Sequence, residues 1–191
     1  MKRLPALIAC CILGFSLLTQ AGGRPGQVAI ASAHPAATVA GLETLAAGGN
    51  AFDAAVAVSA ALAVTEPYGS GLGGGGFFLL RKAGDKPAYH FLDAREKAPQ
   101  AATPDMYREQ PARSLDGALA AAIPGLPAAL ADLASRYGRL PLAASLAPAI
   151  RLAEDGFPVD RVYRERADWR LKALRADPES ARIFLEQGEI P

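Results

Sequence analysis

From Ala51 to Thr65 the chain is apolar at nearly every position, broken only by Asp53, Ser59 and Thr65. Asn50 stands where an N-cap belongs, with Asp53 three residues later, placed to reach back to the cap and to meet the positive end of the helix dipole. Pro67 stops the run. A helix apolar on all sides is either buried or spans a membrane. At 1.5 Å per residue this one is roughly 22 Å long, short of a bilayer core. The pattern therefore predicts a core helix whose small residues let neighbours approach.

Other elements are read around it. Val28–Ser32 is a short apolar run that predicts a strand. His34 and Pro35 open a helix on which Val39, Leu42, Leu45 and Ala46 recur at helical spacing, ended by Gly48 and Gly49. Phe77–Lys82 and Ala88–Leu92 predict two strands joined by a short loop over 83–87. Phe77, Phe78, Leu79 and Leu80 do not alternate, which predicts cover on both faces, and His90 reads as a half-buried strand residue. Residues 100–123 are loop-like. From Pro124 the spacing turns helical. Leu126, Leu130, Leu133 and Tyr137 mark one face up to Gly138, and Leu142, Leu146, Ile150 and Ala153 a second up to Gly156, with Pro148 kinking that helix or beginning its regular part. Asp160 begins a third helix with Val162, Trp169 and Ala173 on one side. That helix is rich in arginine, a solvated face balanced by Glu165 and Asp168.

Between the core helix and the first strand lie Gly69, Gly71 and then Gly73–Gly76. Ordering four residues without a Cβ is entropically costly, so the run needs a reason. One is backbone approaching an anion; the other, which the spacing favours, is tight packing of the loop. No Lys-Ser/Thr follows and no helix opens there, which excludes a P-loop and argues against a dinucleotide fingerprint.

Composition narrows the classes. The 191 residues are 51% hydrophobic and 20% charged, with a formal net charge of +1. That suits one globular domain and gives no sign of nucleic acid or an anionic membrane as partner. Residues 1–21 stand apart: a basic start, an apolar Leu4–Leu18, and small residues at Thr19 and Ala21. This predicts a secretory signal peptide cleaved after Ala21, an exported protein that is periplasmic or secreted, and no stable membrane insertion afterwards. A membrane anchor is the alternative, and a lipoprotein box at Leu7–Cys10 ranks below both. Both cysteines, Cys10 and Cys11, fall inside the leader, so the mature chain is expected to hold neither a disulfide nor a thiolate metal site.

Candidate chemistry is sparse. His34 has no Ser, Cys or carboxylate pattern to act with and reads as a helix-start residue. Asp93-Ala94-Arg95-Glu96-Lys97-Ala98-Pro99 leaves the second strand directly, and charged residues on a loop held by rigid elements are well placed to bind. Arg95 offers a planar fork that matches a carboxylate in two parallel hydrogen bonds. From the residues alone, a surface ion pair with Asp93 or Glu96 is the favoured reading.

The stretch GGNAFDAAVAVSAALAVTEPYGSGLGGGGFFLL resembles the start of the large subunit of gamma-glutamyltransferases (gamma-glutamyl transpeptidases). The resemblance begins near Gly26 and continues through LDAREKAP, PGLPAALADLASRYGRLPL and LAPAIRLAEDGFPV, so it covers nearly all of residues 22–191. It implies an N-terminal-nucleophile (Ntn) hydrolase fold, a four-layer α/β/β/α sandwich in the α/β (α+β) class, incomplete over this length. It implies an enzyme whose precursor cuts itself, and whose exposed threonine passes a gamma-glutamyl group from glutathione or a related compound to water, an amino acid or a peptide, by two acyl transfers. No cofactor and no metal are implied. The implied partners are a gamma-glutamyl substrate and the small subunit of the same precursor. It reverses the reading of Arg95, which matches the family's arginine for the substrate alpha-carboxylate. No catalytic residue is assigned: Thr38, Thr44, Thr65 and Thr103 do not resemble the processing site, so the nucleophile is expected downstream of Pro191 and the chain is read as an inactive N-terminal portion. Two rivals stand beside this, a related cephalosporin or glutaryl acylase and a secreted non-catalytic gamma-glutamyl-binding protein.

Overall fold

The computed structural model describes residues 28–191. The chain divides into a unit over Met1–Ile30 and a second over Ala31–Pro191, which holds every helix and strand of the described residues. The leader, both cysteines and the cleavage site after Ala21 lie outside the described residues. The strand expected over Val28–Ser32 does not form. Ser32 belongs instead to a helix start, its Oγ lying 2.7 Å from Thr38 Oγ1 and donating to the His34 carbonyl at 3.0 Å.

The elements are α1 (Pro35–Ala46), α2 (Ala51–Thr65), β1 (Phe77–Lys82), β2 (Ala88–Asp93), α3 (Leu126–Arg136), α4 (Leu142–Asp155), α5 (Arg161–Ala176) and α6 (Pro178–Phe184). Two short 3-10 turns, Pro111–Ser114 and Ala118–Ala120, sit in the segment read as loop. β1 and β2 form an antiparallel hairpin with Phe77 opposite Asp93 and Lys82 opposite Ala88. Among the described residues no helix is long and apolar enough to cross a membrane.

α2 is the centre, as its sequence predicts. Val56 packs with Leu80 of β1 and Leu126, Leu130 and Leu133 of α3, flanked by Phe78 and Leu92. A second seam joins α1, α2 and α4 through Ala37, Ala40, Ala60, Ala61 and Ala149. The start of α2 is the double cap expected. Asn50 Oδ1 accepts from Phe52 N at 2.8 Å and Asp53 N at 3.2 Å, and Asp53 Oδ2 accepts from Asn50 N at 2.8 Å. Asp53 also does something its local sequence does not announce. It is fully buried and accepts from Arg139 N at 2.9 Å and Leu140 N at 3.3 Å, 86 and 87 residues away. Asn50 Nδ2 donates to the Tyr137 carbonyl at 2.7 Å. The cap of α2 thus holds the turn between α3 and α4. Gly138 is bare because a Cβ there would stand 2.5 Å from Asp53 Oδ1.

Helix positions agree with the pattern better than helix faces do. On α1, Val39 and Leu42 are exposed, while Ala37, Ala40, Gly41 and Thr44 are buried. On α4, Ile150 and Ala153 face outward and Ser145, Pro148 and Ala149 inward. α4 runs through Pro148 as one helix. On α5, Trp169 is 72% exposed and Tyr163 is the buried residue. Helices that meet closely leave no room for a leucine at the line of contact, so alanine fills it and larger side chains move to its edges or outside.

The hairpin carries the other correction. Phe78, Leu80 and Leu92 face the helices, but Leu79 is 75% exposed, with Phe77, Tyr89 and Phe91 exposed beside it. Phe77 and Phe91 stack with ring centroids 5.6 Å apart. Cover on both faces, expected from the unbroken apolar run, is therefore absent among the described residues. The run reflects two apolar faces, one of which is bare here.

Two predictions follow from this packing. Asp53→Ala strands several buried N–H donors at about 1–3 kcal/mol each, so urea unfolding should show a loss of about 3 kcal/mol or more. A loss below about 0.5 kcal/mol would mean the turn is held by packing alone. Residues 22–191 expressed alone should self-associate through the bare hairpin face, and Leu79→Lys should reduce it in sedimentation. A monomeric parent with no change on substitution would contradict this.

Candidate functional site

The chain leaving β2 is held from two sides. Gly76 and Ala94 exchange backbone hydrogen bonds (Gly76 N to Ala94 O 3.2 Å, Ala94 N to Gly76 O 3.0 Å), extending the hairpin by one pair. The Gly74 carbonyl accepts from Gly125 N at 3.2 Å and Leu126 N at 3.1 Å, joining the glycine loop to the start of α3. Lys97 and Ile123 pair in both directions, at 3.1 and 2.9 Å. Between these ties the Ala94–Glu96 backbone is wedged. A Cβ at Gly75 would overlap the Ala94 carbonyl and stand 2.9 Å from Glu96 N. A Cβ at Gly125 would overlap the same carbonyl and stand 2.8 Å from the Arg95 oxygen.

This favours the packing reading for one position of the glycine run. Gly75 is required by close backbone approach, as the packing reading expects, though against the strand exit more than against a helix. The anion-nest reading loses two of its four donors: Gly74 N is bonded to the Gly71 carbonyl and Gly76 N to Ala94. A 540 Å³ cleft opens along Gly73–Gly76, but the Glu96 carboxylate lines it and repels an anion. Glu96 Oε2 is buried there with no hydrogen bond among the described residues. Tyr68 stands on the same cleft. Burial, with the nearby Glu66 and Asp160 carboxylates, pushes its phenol above the usual tyrosine range.

Arg95 itself projects outward, its side chain 64% exposed. Its N–H donates to Asp93 Oδ1 at 2.9 Å, its Nε lies 3.4 Å from Glu96 Oε2, and its guanidinium carbon is 6.0 Å from the Phe77 ring centre. The surface pair with Glu96 is therefore present. The pair joins an exposed guanidinium to a buried carboxylate oxygen, and it touches only Nε, leaving the terminal edge of the fork open to a ligand. Beside Arg95 is a second cleft, of 420 Å³, lined by Arg95, Lys97, Asp93, Asp132 and Ile123 among others.

The remaining candidates have structural places. His34 Nδ1 accepts from Ala36 N at 3.1 Å and caps α1, as expected. His90 is more exposed than expected, its ring 5.7 Å from that of Tyr137. Thr44 and Thr65 donate back to the Ala40 and Ala61 carbonyls within their own helices. No group of three or more His, Cys, Asp or Glu able to hold a metal occurs among the described residues. Sequence reasoning missed Gly125. Its signal is the Pro124-Gly125-Leu126-Pro127 run, where a glycine precedes a helix whose capping it does not explain.

If the wedge positions the site, Gly75→Ala and Gly125→Ala should each lower stability by about 1–3 kcal/mol or more. Gly73→Ala, which meets open space, should stay within about 0.5 kcal/mol. Thermal or urea unfolding of the three variants checks this; equal effects would remove the wedge.

Known proteins resemble this chain in sequence and in fold. A gamma-glutamyltranspeptidase family model matches residues 37–191. The chain is 38% identical over 174 residues to a glutathione hydrolase proenzyme of Bacillus subtilis, covering 87% of this chain and 29% of that protein. It superposes on the crystal structure of Helicobacter pylori gamma-glutamyltranspeptidase with a TM-score of 0.80 at 34% identity, over 88% of this chain and 49% of that one. It superposes on a cephalosporin acylase from Bacillus halodurans at 0.72 and 33% identity, over 88% and 35% of the two chains. The chain spans 23–33% of the length of the curated relatives it matches. The fold is accordingly the Ntn-hydrolase-like α/β class, of which the described residues hold the helices on one face of a hairpin. The family model over residues 37–191 and the fold shared with a solved gamma-glutamyltranspeptidase make this chain a member of the gamma-glutamyltranspeptidase family.

Proposed function

We propose that this chain supplies the donor-carboxylate site of a gamma-glutamyl transferase or hydrolase, acting on glutathione or other gamma-glutamyl compounds. In this reading the chain is the N-terminal part of a large subunit. The threonine nucleophile and the small subunit come from later sequence of a self-cleaving precursor, exported by the leader over residues 1–21 to the periplasm or outside the cell. The acceptor is water, an amino acid or a peptide.

The observation that carries this is Arg95. Its backbone is fixed by Gly75 and Gly125, while its terminal guanidinium edge meets no carboxylate among the described residues. A fixed base under an open fork suits a ligand carboxylate. The alpha-carboxylate of a gamma-glutamyl donor would take two charge-assisted hydrogen bonds and place the distant gamma-carbonyl for attack.

A second reading has its own support in the likeness to the cephalosporin acylase. A glutaryl amide keeps a free carboxylate at the same distance from the scissile carbonyl and lacks only the alpha-amine, so Arg95 would serve either substrate. The two readings divide on whether the processed protein that carries this chain prefers a gamma-glutamyl amide or the matching glutaryl amide, and the role of Arg95 is tested by substitution in that same protein. Arg95→Ala should weaken use of a gamma-glutamyl donor by about 2–4 kcal/mol in kcat/KM, because hydrogen bonds to charged groups contribute about 1.5–3 kcal/mol each. Arg95→Lys should lose less, keeping charge but not the planar fork. Subunit formation on a gel should be unaffected. Unchanged donor kinetics in Arg95→Ala would favour the simple surface pair.

A further inference from the structure

The carboxylate next to Arg95 is seated in a slot left by missing side chains. A Cβ at Gly75 would stand 2.9 Å from Glu96 Oε2, and one at Gly74 would stand 3.5 Å from Glu96 Oε1. The bare backbone of these glycines therefore admits the carboxylate, and a side chain at Gly75 would displace it. Glu96 Oε2 is buried and makes no hydrogen bond among the described residues. A buried carboxylate oxygen without a donor is costly unless a cation compensates it. Among the described residues Arg95 is the one cation within 4.0 Å of Glu96, with its Nε 3.4 Å from Oε2.

That contact has a direction. It falls on Nε, the inner nitrogen of the guanidinium, and leaves the two terminal nitrogens to other partners. The Phe77 ring centre lies 6.0 Å from the guanidinium carbon, at the outer reach of a cation–π contact. A guanidinium is planar and rigid, so a carboxylate held at Nε sets the direction of the terminal edge. An arginine side chain 64% exposed would otherwise sample many rotamers, and a ligand that must freeze them binds more weakly.

We propose that Glu96 is the positioning residue for Arg95: seated on the Gly74–Gly75 backbone, its carboxylate holds the guanidinium by Nε and aims the terminal edge at the donor carboxylate before the donor arrives. The proposal rests on the reading of Arg95 as the alpha-carboxylate site. It gives the close approach at Gly75 a second consequence, because the same missing side chain that lets Ala94 in also lets Glu96 reach Arg95. It also makes a prediction of sign. A carboxylate that merely stood nearby would repel the donor's own carboxylate, so removing its charge would tighten binding. A carboxylate that aims the fork does the opposite.

The test uses the processed protein that carries this chain, with a gamma-glutamyl amide as donor. Glu96→Gln keeps the volume and removes the charge. It should raise donor KM by about three- to tenfold, the size of one hydrogen bond. It should leave kcat within about twofold, because the carboxylate contact is made in ground and transition states alike. In an Arg95→Ala background there is no guanidinium to aim, so adding Glu96→Gln should change kcat/KM by less than about twofold. If Glu96→Gln does not yield processed protein, Glu96→Asp carries the same expectation, since it keeps the charge one methylene short of Nε. An unchanged or lowered KM, or an equal rise with and without Arg95, would overturn the proposal. Arg95→Ala alone separates the two failures. If it weakens donor use while Glu96→Gln does not, only the positioning role falls. If it changes nothing, the reading of Arg95 falls and the role of Glu96 with it.

Discussion

Close backbone contact at Ala94 is the constraint on which the site depends. The Ala94 carbonyl points at Gly76 N and leaves no room for a side chain at either Gly75 or Gly125. Three chain segments, the glycine loop, the strand exit and the start of α3, meet there with only backbone between them. A contact of this kind fixes position more tightly than side-chain packing, because no rotamer can give way. It explains why one residue of the glycine run before β1, Gly75, carries no side chain, and why a charged loop can be exposed and still be held in place.

The helices that support this wedge depend on a different kind of joint. Asp53 closes the cap of α2 and the same carboxylate holds the turn before α4. A buried carboxylate is tolerable only when donors surround it, and here the donors are backbone N–H groups of two distant segments. α2 thereby sets the place of α3, whose N-terminus is half of the wedge. Along the other side of α2, alanines admit α1 and α4 at close range. The route from core helix to Arg95 is thus short: cap, turn, α3, Gly125, strand exit.

The bare hairpin face bears on how such a chain is used. Phe77, Leu79, Tyr89 and Phe91 are exposed together, and a contiguous apolar face on a sheet is the usual mark of an unfilled packing surface. In an α/β/β/α sandwich two sheets pack face to face, so one face of a hairpin covered by helices on the other is what half of that arrangement looks like. Arg95 lies near Phe77 at the edge of this face, so the proposed donor site borders the surface that further layers would cover.

What the sequence determined by itself was local. The cap at Asn50, the limits of α2, the hairpin and its loop, and the stops at Gly138 and Gly156 follow from residues acting on their immediate neighbours, and each is where the pattern puts it. The motif around Arg95 was legible too, as a resemblance and as a fork at a strand exit. The faces were not. Val39, Ile150 and Trp169 look like core residues and stand outside, while Ala37, Ala149 and Tyr163 are buried. Which stripe of a helix turns inward depends on how closely its neighbour comes, and periodicity does not carry that distance. Nor did the sequence separate two reasons for Gly73–Gly76. Only the tertiary structure brings Ala94 against Gly75 from one side and Gly125 from the other, because that contact joins segments far apart in the chain and made of backbone, which leaves no side-chain pattern to read.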